Sequence, residues 1–440
     1  MRVQPENWNF FDVPGKKTDY GFLGVRTRIG ALYQEDILAL RVELQDVQLL
    51  ALPTSAVAPS PQGSLGQGGN YFSLGNAADY NTLGVRKLYL RLGERDKTCF
   101  QIGRFDYYSG LEQPSTDPIV DWMKKERVSK KMIGCPDYNT WSRTFDGARL
   151  DVDTEPVHFT AVVLRPTEIA PQFADAANHV LVSNLAATFK EGEVISRGEG
   201  QLFWNHYTDD RPVNQVDNLP AHRTIAQDGG NDINTYGFHY LTRVGEDGDF
   251  LVWAAHQDGR WGTEGQSANA FAAEAGIRFP NIPWHPWLRA GISVYGGDPS
   301  PHDGQHNTFI AEVPDNRIRF PLYTVANVRD PKLQLMLRPR EDTKIRMDYH
   351  WLSLDSAQDL WYTGSGVGQD TGVNGYSGRP SGGYKDLGRL YELWIDHQLD
   401  ANDRLVLHYG RAWGGQVVRF NFPHGADGRA LYLEYHLTLP

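Results

Sequence analysis

The chain has 440 residues, a net charge of −11, 45 glycines and 21 tyrosines, and its acidic balance argues against a nucleic-acid partner. Mean hydropathy is −0.49, and no apolar run approaches the roughly 18–20 residues of a membrane helix, which excludes a helical membrane protein. A barrel stays open, because its spanning strands are only about 9–11 residues long and half polar.

Period-2 alternation bounded by turn residues predicts strands over 1–9, 19–30, 36–49, 83–95, 98–106, 143–152, 156–165, 179–190 and 196–207. The second half continues with 233–244, 248–257, 266–279, 285–296, 330–340, 343–354, 387–399, 402–412 and 430–438. That makes about eighteen, an even number as bacterial outer-membrane barrels require. Tight connections at 153–155, 245–247, 340–342 and 400–401 interleave with long ones at 50–82, 107–142, 208–232, 297–329, 355–386 and 413–429. Tight turns at one end and long loops at the other are the rhythm of an up-and-down barrel, with both termini at the tight-turn end. Long barrel loops often fold inward and narrow the mouth. No fixed repeat of about 20–50 residues points to blades or a solenoid.

Cys99 and Cys135 fit no zinc spacing and fall at opposite ends of such a barrel, so they are expected to stay unpaired. The N-terminus, Met1-Arg2-Val3-Gln4, shows no charged region followed by an apolar one, so no signal peptide is read in this chain.

The stretch Lys332–Leu354 shows what is at stake. Leu333, Leu335 and Leu337 alternate with Gln334, Met336 and Arg338; after a polar turn, Ile345, Met347, Tyr349 and Trp351 alternate with Lys344, Arg346, Asp348 and His350. Such a strand pair has one apolar and one charged face. In a soluble fold the apolar face meets a core, the commoner arrangement. Eighteen such strands would then need several sandwiches with crossovers, and the linker rhythm supplies none. In the inverted reading the apolar face meets lipid and the charged face a water-filled lumen.

The expected fold is therefore an all-β, transmembrane, antiparallel up-and-down barrel of about 18 strands, one domain over 1–440, with short periplasmic turns and long extracellular loops. Alternation then assigns the lumen-facing residues. From the first half come Arg26, Arg28, Arg41, Glu43, Lys87, Arg91, Arg149 and Asp151. From the second come Glu274, Arg278, Arg289, Arg338, Lys344, Arg346, Asp348, His350, Glu392, Asp396, Arg404 and Glu434. Arg104 shares the outward parity of Phe100 and Ile102, and joins the lumen set only if Gly103 seats a bulge that re-aims it. Asp146, beside Gly147, has the same conflict. The set is weighted toward arginine, whose fixed forks suit weak, repeated contacts with carboxylates. The competing reading is that arginines and acids merely pair across strands. Excess acid is expected in the loops, for example at Asp209, Asp210, Asp228, Asp232 and Asp298.

Several segments together resemble the alginate export family of outer-membrane barrels. They are Gly103-Arg104-Phe105 followed by Trp141-Ser142-Arg143-Thr144-Phe145-Asp146-Gly147; Gly276-Ile277-Arg278-Phe279-Pro280 with Gly297-Asp298 and Asn307-Thr308-Phe309; Leu337-Arg338-Pro339 with Asp348-Tyr349-His350-Trp351; and Leu407-His408-Tyr409-Gly410. The chain departs from the pattern at Phe105, where the family usually has Gln, and it ends Leu437-Thr438-Leu439-Pro440 without the usual terminal aromatic. The resemblance implies a monomeric eighteen-stranded barrel in the outer membrane of a Gram-negative bacterium. Its partners would be lipid and an anionic polysaccharide such as alginate, or a small anionic solute, moving through an arginine-lined pore. No cofactor, metal or catalysis is expected, since neither Gly-x-Ser-x-Gly nor His-Glu-x-x-His occurs. The alternatives are a soluble all-β carbohydrate-binding protein and a barrel whose luminal carboxylates cleave glycans.

Overall fold

In the computed structural model, which describes residues 1–94, 97–167, 179–210, 230–315, 320–364 and 378–439, nineteen strands form a single closed sheet. The first half contributes β1 (Arg2–Asn9), β2 (Asp19–Glu35), β3 (Leu38–Leu50), β4 (Tyr80–Gly93), β5 (Cys99–Phe105), β6 (Phe145–Asp153), β7 (Val157–Pro166), β8 (Val180–Phe189) and β9 (Gly198–Asp209). The second contributes β10 (Asn231–Val244), β11 (Gly248–Trp261), β12 (Glu264–Arg278), β13 (Trp287–Tyr295), β14 (Gln305–His306), β15 (Val328–Arg340), β16 (Thr343–Ser353), β17 (Asp386–Gln398), β18 (Asp403–Gly414) and β19 (Asp427–Leu437). Every strand read from the alternation is present. The addition is β14, a two-residue strand in the β13–β15 loop that lies parallel to the end of β12. The other eighteen run antiparallel to their neighbours, and β1 closes the barrel by pairing with both β2 and β19.

The faces are inverted relative to a soluble protein. On β3, Leu40, Val42 and Leu44 are exposed while Glu43 and Gln45 are buried. The same holds for Leu288 and Ile292 against Arg289 and Ser293, and for Leu431 and Leu433 against Glu434. Strands of about ten residues, tilted by roughly 40°, give an apolar band about 25 Å tall, enough to cross a bilayer core.

The linker parity has one exception. Gly262 and Thr263 join β11 to β12 tightly at the long-loop end. Gly103 seats no bulge: register runs unbroken from Tyr89 through Gly103 to Gly147. It has φ +121, and a Cβ there would stand 2.2 Å from the Leu88 carbonyl oxygen, so the close strand approach requires glycine. A true bulge occurs in β4, between the pairs Glu43↔Lys87 and Leu44↔Val85, where Arg86 is the extra residue.

Long loops fold into the barrel. They carry α1 (Gln67–Gly75), α2 (Pro118–Met123) running into one π-helical turn (Lys124–Val128), and α3 (Gln416–Asn421). Asp117 caps α2 by accepting from the Ile119 and Val120 N–H groups. At the long-loop end the filling is aromatic: Phe10 stacks on Phe320 at 5.5 Å, and buried Arg379 lies 4.8 Å from the Trp361 ring and 5.4 Å from that of Phe422. Asp209 and Asp298 are buried rather than spread in solvated loops. Asp228 and the glycine-rich stretch at 365–377 lie outside the described residues. Cys99 and Cys135 are both buried and free.

Candidate functional site

The lumen wall is charged, and most of its charges are paired. Arg41 donates to Glu43 at 2.8 Å, and Arg86 reaches the other Glu43 oxygen at 2.8 Å and Asp106 at 2.9 Å. Arg149 grips Asp151 through two nitrogens at 2.7 and 2.9 Å. Arg289 lies against Asp249 and Glu274, and Arg346 donates to Asp348 at 2.6 Å. His350 meets Asp330 at 2.8 Å, and no metal-ligating cluster occurs among the described residues. Glu392, Lys332 and Arg346 share a luminal cavity of about 120 Å³, room for a cluster of waters.

What fills much of the lumen is the β5–β6 connection, residues 106–144. It descends from the long-loop end until Ser115 and Thr116 bond Glu191 in the β8–β9 turn, at the opposite end of the barrel. There Asp117 pairs with Arg243 at 2.8 Å. Burial opposes ionisation of Asp117, but the Ile119 and Val120 N–H groups and Arg243 prevail and hold its carboxyl below the ordinary range. The segment then crosses to other strands. Lys124 reaches Glu199 at 2.5 Å, Arg127 reaches Glu274 at 2.8 Å and Gln334 at 3.0 Å, and Glu126 accepts from Arg346 at 2.9 Å. Lys131 donates to the Tyr295 hydroxyl at 3.0 Å and lies 5.2 Å from the Trp253 ring centroid. Burial pushes its ammonium down to about 8 against the pull of Glu274. Over Pro118–Lys131 the segment has five basic residues (Lys124, Lys125, Arg127, Lys130, Lys131) and two acidic ones (Asp121, Glu126), so it carries positive charge onto acidic parts of the wall.

Returning, the segment offers Asp137 to Arg26 at 3.1 Å and Arg28 at 2.6 Å. Burial disfavours the Asp137 charge, yet Arg26, Arg28 and Arg2 outweigh it and hold the carboxyl well below the usual range. A second loop, between β13 and β15, meets this segment inside the barrel. Ile133 and Val313 form a parallel bridge, with N–H groups of Gly134 and Val313 donating to carbonyls of Val313 and Met132, both at 2.9 Å. Glu312 of that loop is anchored to the wall by the Thr235 hydroxyl at 2.8 Å and the Asn205 amide at 3.2 Å. Its Oε2 has no partner among the described residues, and burial pushes the carboxyl up to about 7.

Most residues assigned by alternation therefore face inward, but at different heights. Arg26, Arg28, Arg41, Glu43, Arg91, Arg149, Arg289, Arg346, Asp348, His350 and Glu392 belong to the wall around the inward loops. Arg278, Arg338, Lys344 and Arg404 lie near the tight-turn end. Arg278 and Arg338 bond the turn carbonyls of Glu246 and Glu341, and Arg404 bonds Asp396 at 2.7 and 2.6 Å. Arg104 is a correction. With no bulge at Gly103 it keeps the outward parity of Phe100 and Ile102, and on the outer wall it holds Asp146, directly opposite, through two bonds of 2.7 Å. Arg86 was missed because strict alternation with Lys87 points it outward; the β4 bulge turns it in. The Lys124–Lys131 cluster carries no period-2 signal. Its basic run within an otherwise acidic chain was the available clue.

The alginate export family profile matches residues 15–430. Among solved structures, OccAB2 of Acinetobacter baumannii aligns over 99% of this chain and 96% of its own, with a TM-score of 0.55 at 9% identity. OccK11 (OpdR) of Pseudomonas aeruginosa aligns over 100% and 94%, with 0.54 at 12%. Pseudomonas aeruginosa OpdO aligns over 100% and 97%, with 0.53 at 14%. At such identities the likeness is one of fold. No curated protein sequence matches the chain.

Proposed function

The chain belongs to the alginate export family of outer-membrane barrels, and from that membership we propose that it passes an anionic solute or alginate-like polysaccharide through its lumen. The observation that carries this reading is the arrangement of the luminal arginines. Arg26, Arg28, Arg149 and Arg346 are each held by carboxylates of the protein itself. A passing carboxylate presents the same chemistry, so it can exchange with Asp137 or Glu126 at little net cost, trading one guanidinium pair for another. Conduction needs such binding, weak enough to release at each step. Because Asp137 and Glu126 belong to the inward segment, exchange would also loosen that segment from the wall, which couples solute entry to opening. The protein acts in this reading as a monomer and uses no cofactor.

The test is conductance in planar bilayers under a salt gradient, with oligomannuronate or a neutral oligosaccharide of equal length added. Anion preference and current block by the charged oligomer alone are expected. Cation preference, or equal block by the neutral oligomer, would overturn the proposal while leaving the barrel untouched.

A further inference from the structure

Three arginines gather on the outer wall, away from the lumen. Arg389, Arg411 and Arg429 are exposed, alternating with buried Leu390, Ala412 and Ala430. They share the lipid-facing parity of Leu431 and Leu433. Each lies within three residues of the long-loop end of its strand: β17 begins at Asp386, β18 ends at Gly414 and β19 begins at Asp427. Toward the middle of the barrel the same face continues as Leu393, Tyr409 and Leu431, so the arginines mark where the apolar band stops.

Register brings them together. Tyr391 stands opposite Arg411, and Arg411 stands opposite Arg429; Arg389 stands between Trp351 and Trp413. Directly opposed residues of an antiparallel pair have Cβ atoms about 4.5–5.5 Å apart, and like charges at that spacing destabilise the sheet. Among the described residues no carboxylate pairs with them. Arg411 lies 5.1 Å from the Trp413 ring, and among the described residues none of the three arginine side chains takes part in a hydrogen bond or ion pair; Asp427, on the same face opposite Trp413, bonds none of them. Two other outward arginines are compensated by bonds, Arg104 by Asp146 and Arg329 by Asp355 at 2.6 Å, and exposed Arg165 and Arg260 each stand directly opposite a carboxylate residue, Asp146 and Asp232. Two facing, uncompensated guanidinium groups at the upper edge of a lipid-facing wall call for an anion supplied by the membrane.

We propose that Arg411 and Arg429, assisted by Arg389, bind the phosphate of a phosphorylated glycolipid in the leaflet that surrounds the long loops. Guanidinium forks take phosphate oxygens in pairs. Trp351, Trp413 and Tyr391 supply the flat, amphipathic surface of an interfacial aromatic girdle, and the acyl chains run down over Leu393, Tyr409 and Leu431. The lipid acts as the missing counter-charge that ties β17, β18 and β19 together from outside.

The test is lipid retention by the full-length barrel in phosphatidylcholine nanodiscs, read by native mass spectrometry with bisphosphorylated lipid A or its dephosphorylated counterpart. The bisphosphorylated form should be retained with about tenfold or greater preference, the scale of losing one charge-assisted contact. Arg411→Gln with Arg429→Gln should abolish the preference, while Arg411→Lys with Arg429→Lys keeps part of it. Bilayer conductance should not change in either variant, since both positions lie outside the lumen. Equal retention of the two lipids, an undiminished preference in the glutamine variant, or displacement by millimolar inorganic phosphate would overturn the proposal. Should the double variant fail to fold, Arg429→Gln alone, expected to be intermediate, and the wild-type lipid comparison carry the test.

Discussion

Lys124 donates to Glu199 at 2.5 Å inside the barrel, and neither side chain reaches solvent. One comes from the inward segment and the other from β9, so this pair welds the filling to the wall. Lys124→Met would leave buried Glu199 with only the His239 imidazole, at 3.2 Å, as its partner on the wall, at a cost of about 3–5 kcal/mol. Hydrogen exchange over 118–131 should accelerate and single-channel current should rise. Adding Glu199→Gln should restore most of the protection, because removing both charges avoids the orphaned carboxylate.

Leu333 and Lys332 are neighbours on opposite faces of β15. Leu333→Arg should destabilise the barrel by about 2–4 kcal/mol, the scale for a basic side chain at the membrane midplane. Lys332→Arg keeps the charge in the lumen and should fall within about 0.5 kcal/mol of wild type. Urea unfolding in liposomes, followed by tryptophan fluorescence, distinguishes the two.

Glu312 makes the β13–β15 loop sensitive to pH. Its docked carboxyl titrates at about 7 because it is buried, above its ordinary range near 4.5. Between those values the docked state keeps a proton that the released state has lost, so docking weakens as pH rises. The stabilisation is complete below about pH 4.5 and lost through pH 7, worth about 3 kcal/mol at most. Exchange protection of Phe309–Val313 should therefore fall from pH 5 to pH 8, and Glu312→Gln should flatten the profile. A profile of unchanged slope in that variant would assign the effect to another group.

Arg346 bridges Glu126 of the inward segment and Asp348 of the wall. Arg346→Glu would place three carboxylates together beside the luminal cavity. The anion-to-cation permeability ratio should fall by about twofold or more, measured as a shift in reversal potential under a salt gradient. An unchanged potential would remove Arg346 from the conduction path.

Ile133→Pro removes the N–H of a residue that the Ser109 hydroxyl serves at 3.2 Å and disturbs the parallel bridge to Val313. The two loops should then separate, at a cost of about 3 kcal/mol. Hydrogen exchange at the Val313 amide, which donates to the Met132 carbonyl at 2.9 Å, would accelerate and report the change.

The wall was legible because two signals agree there. Alternation says which residues share a face, as at Leu40, Val42 and Leu44, and linker parity says which face meets lipid. Bulges break the first signal locally, so alternation from Lys87 leaves Arg86 off the luminal face that it in fact lines, while Arg104 needed a bulge that Gly103 does not make. The lumen filling was not legible in the same way. Residues 106–144 follow neither a strand nor a long helix period, and their conformation is imposed by distant wall residues such as Glu199, Glu274 and Arg26. The pairing of luminal charge was foreseen only as a competing reading, because alternation places Arg346 and Asp348 on one face without saying which of them the loop will meet.

The seam between β1 and β19, where Arg2 lies opposite His436 and Val3 opposite Tyr435, joins the first and last strands of the barrel. Among the eighteen antiparallel strands, leaving out the two-residue β14, every other pairing forms between neighbours in sequence order. Hairpins can thus assemble early and locally, whereas the seam demands that nearly all of the chain be in place first, so closing it is the slow, high-contact-order step of folding. Until then, β1 and β19 each present an open edge of N–H and C=O groups, the state most prone to pairing with a wrong partner. An assembly factor that shelters β19 until β1 arrives would act on the one event that local hairpin formation cannot accomplish.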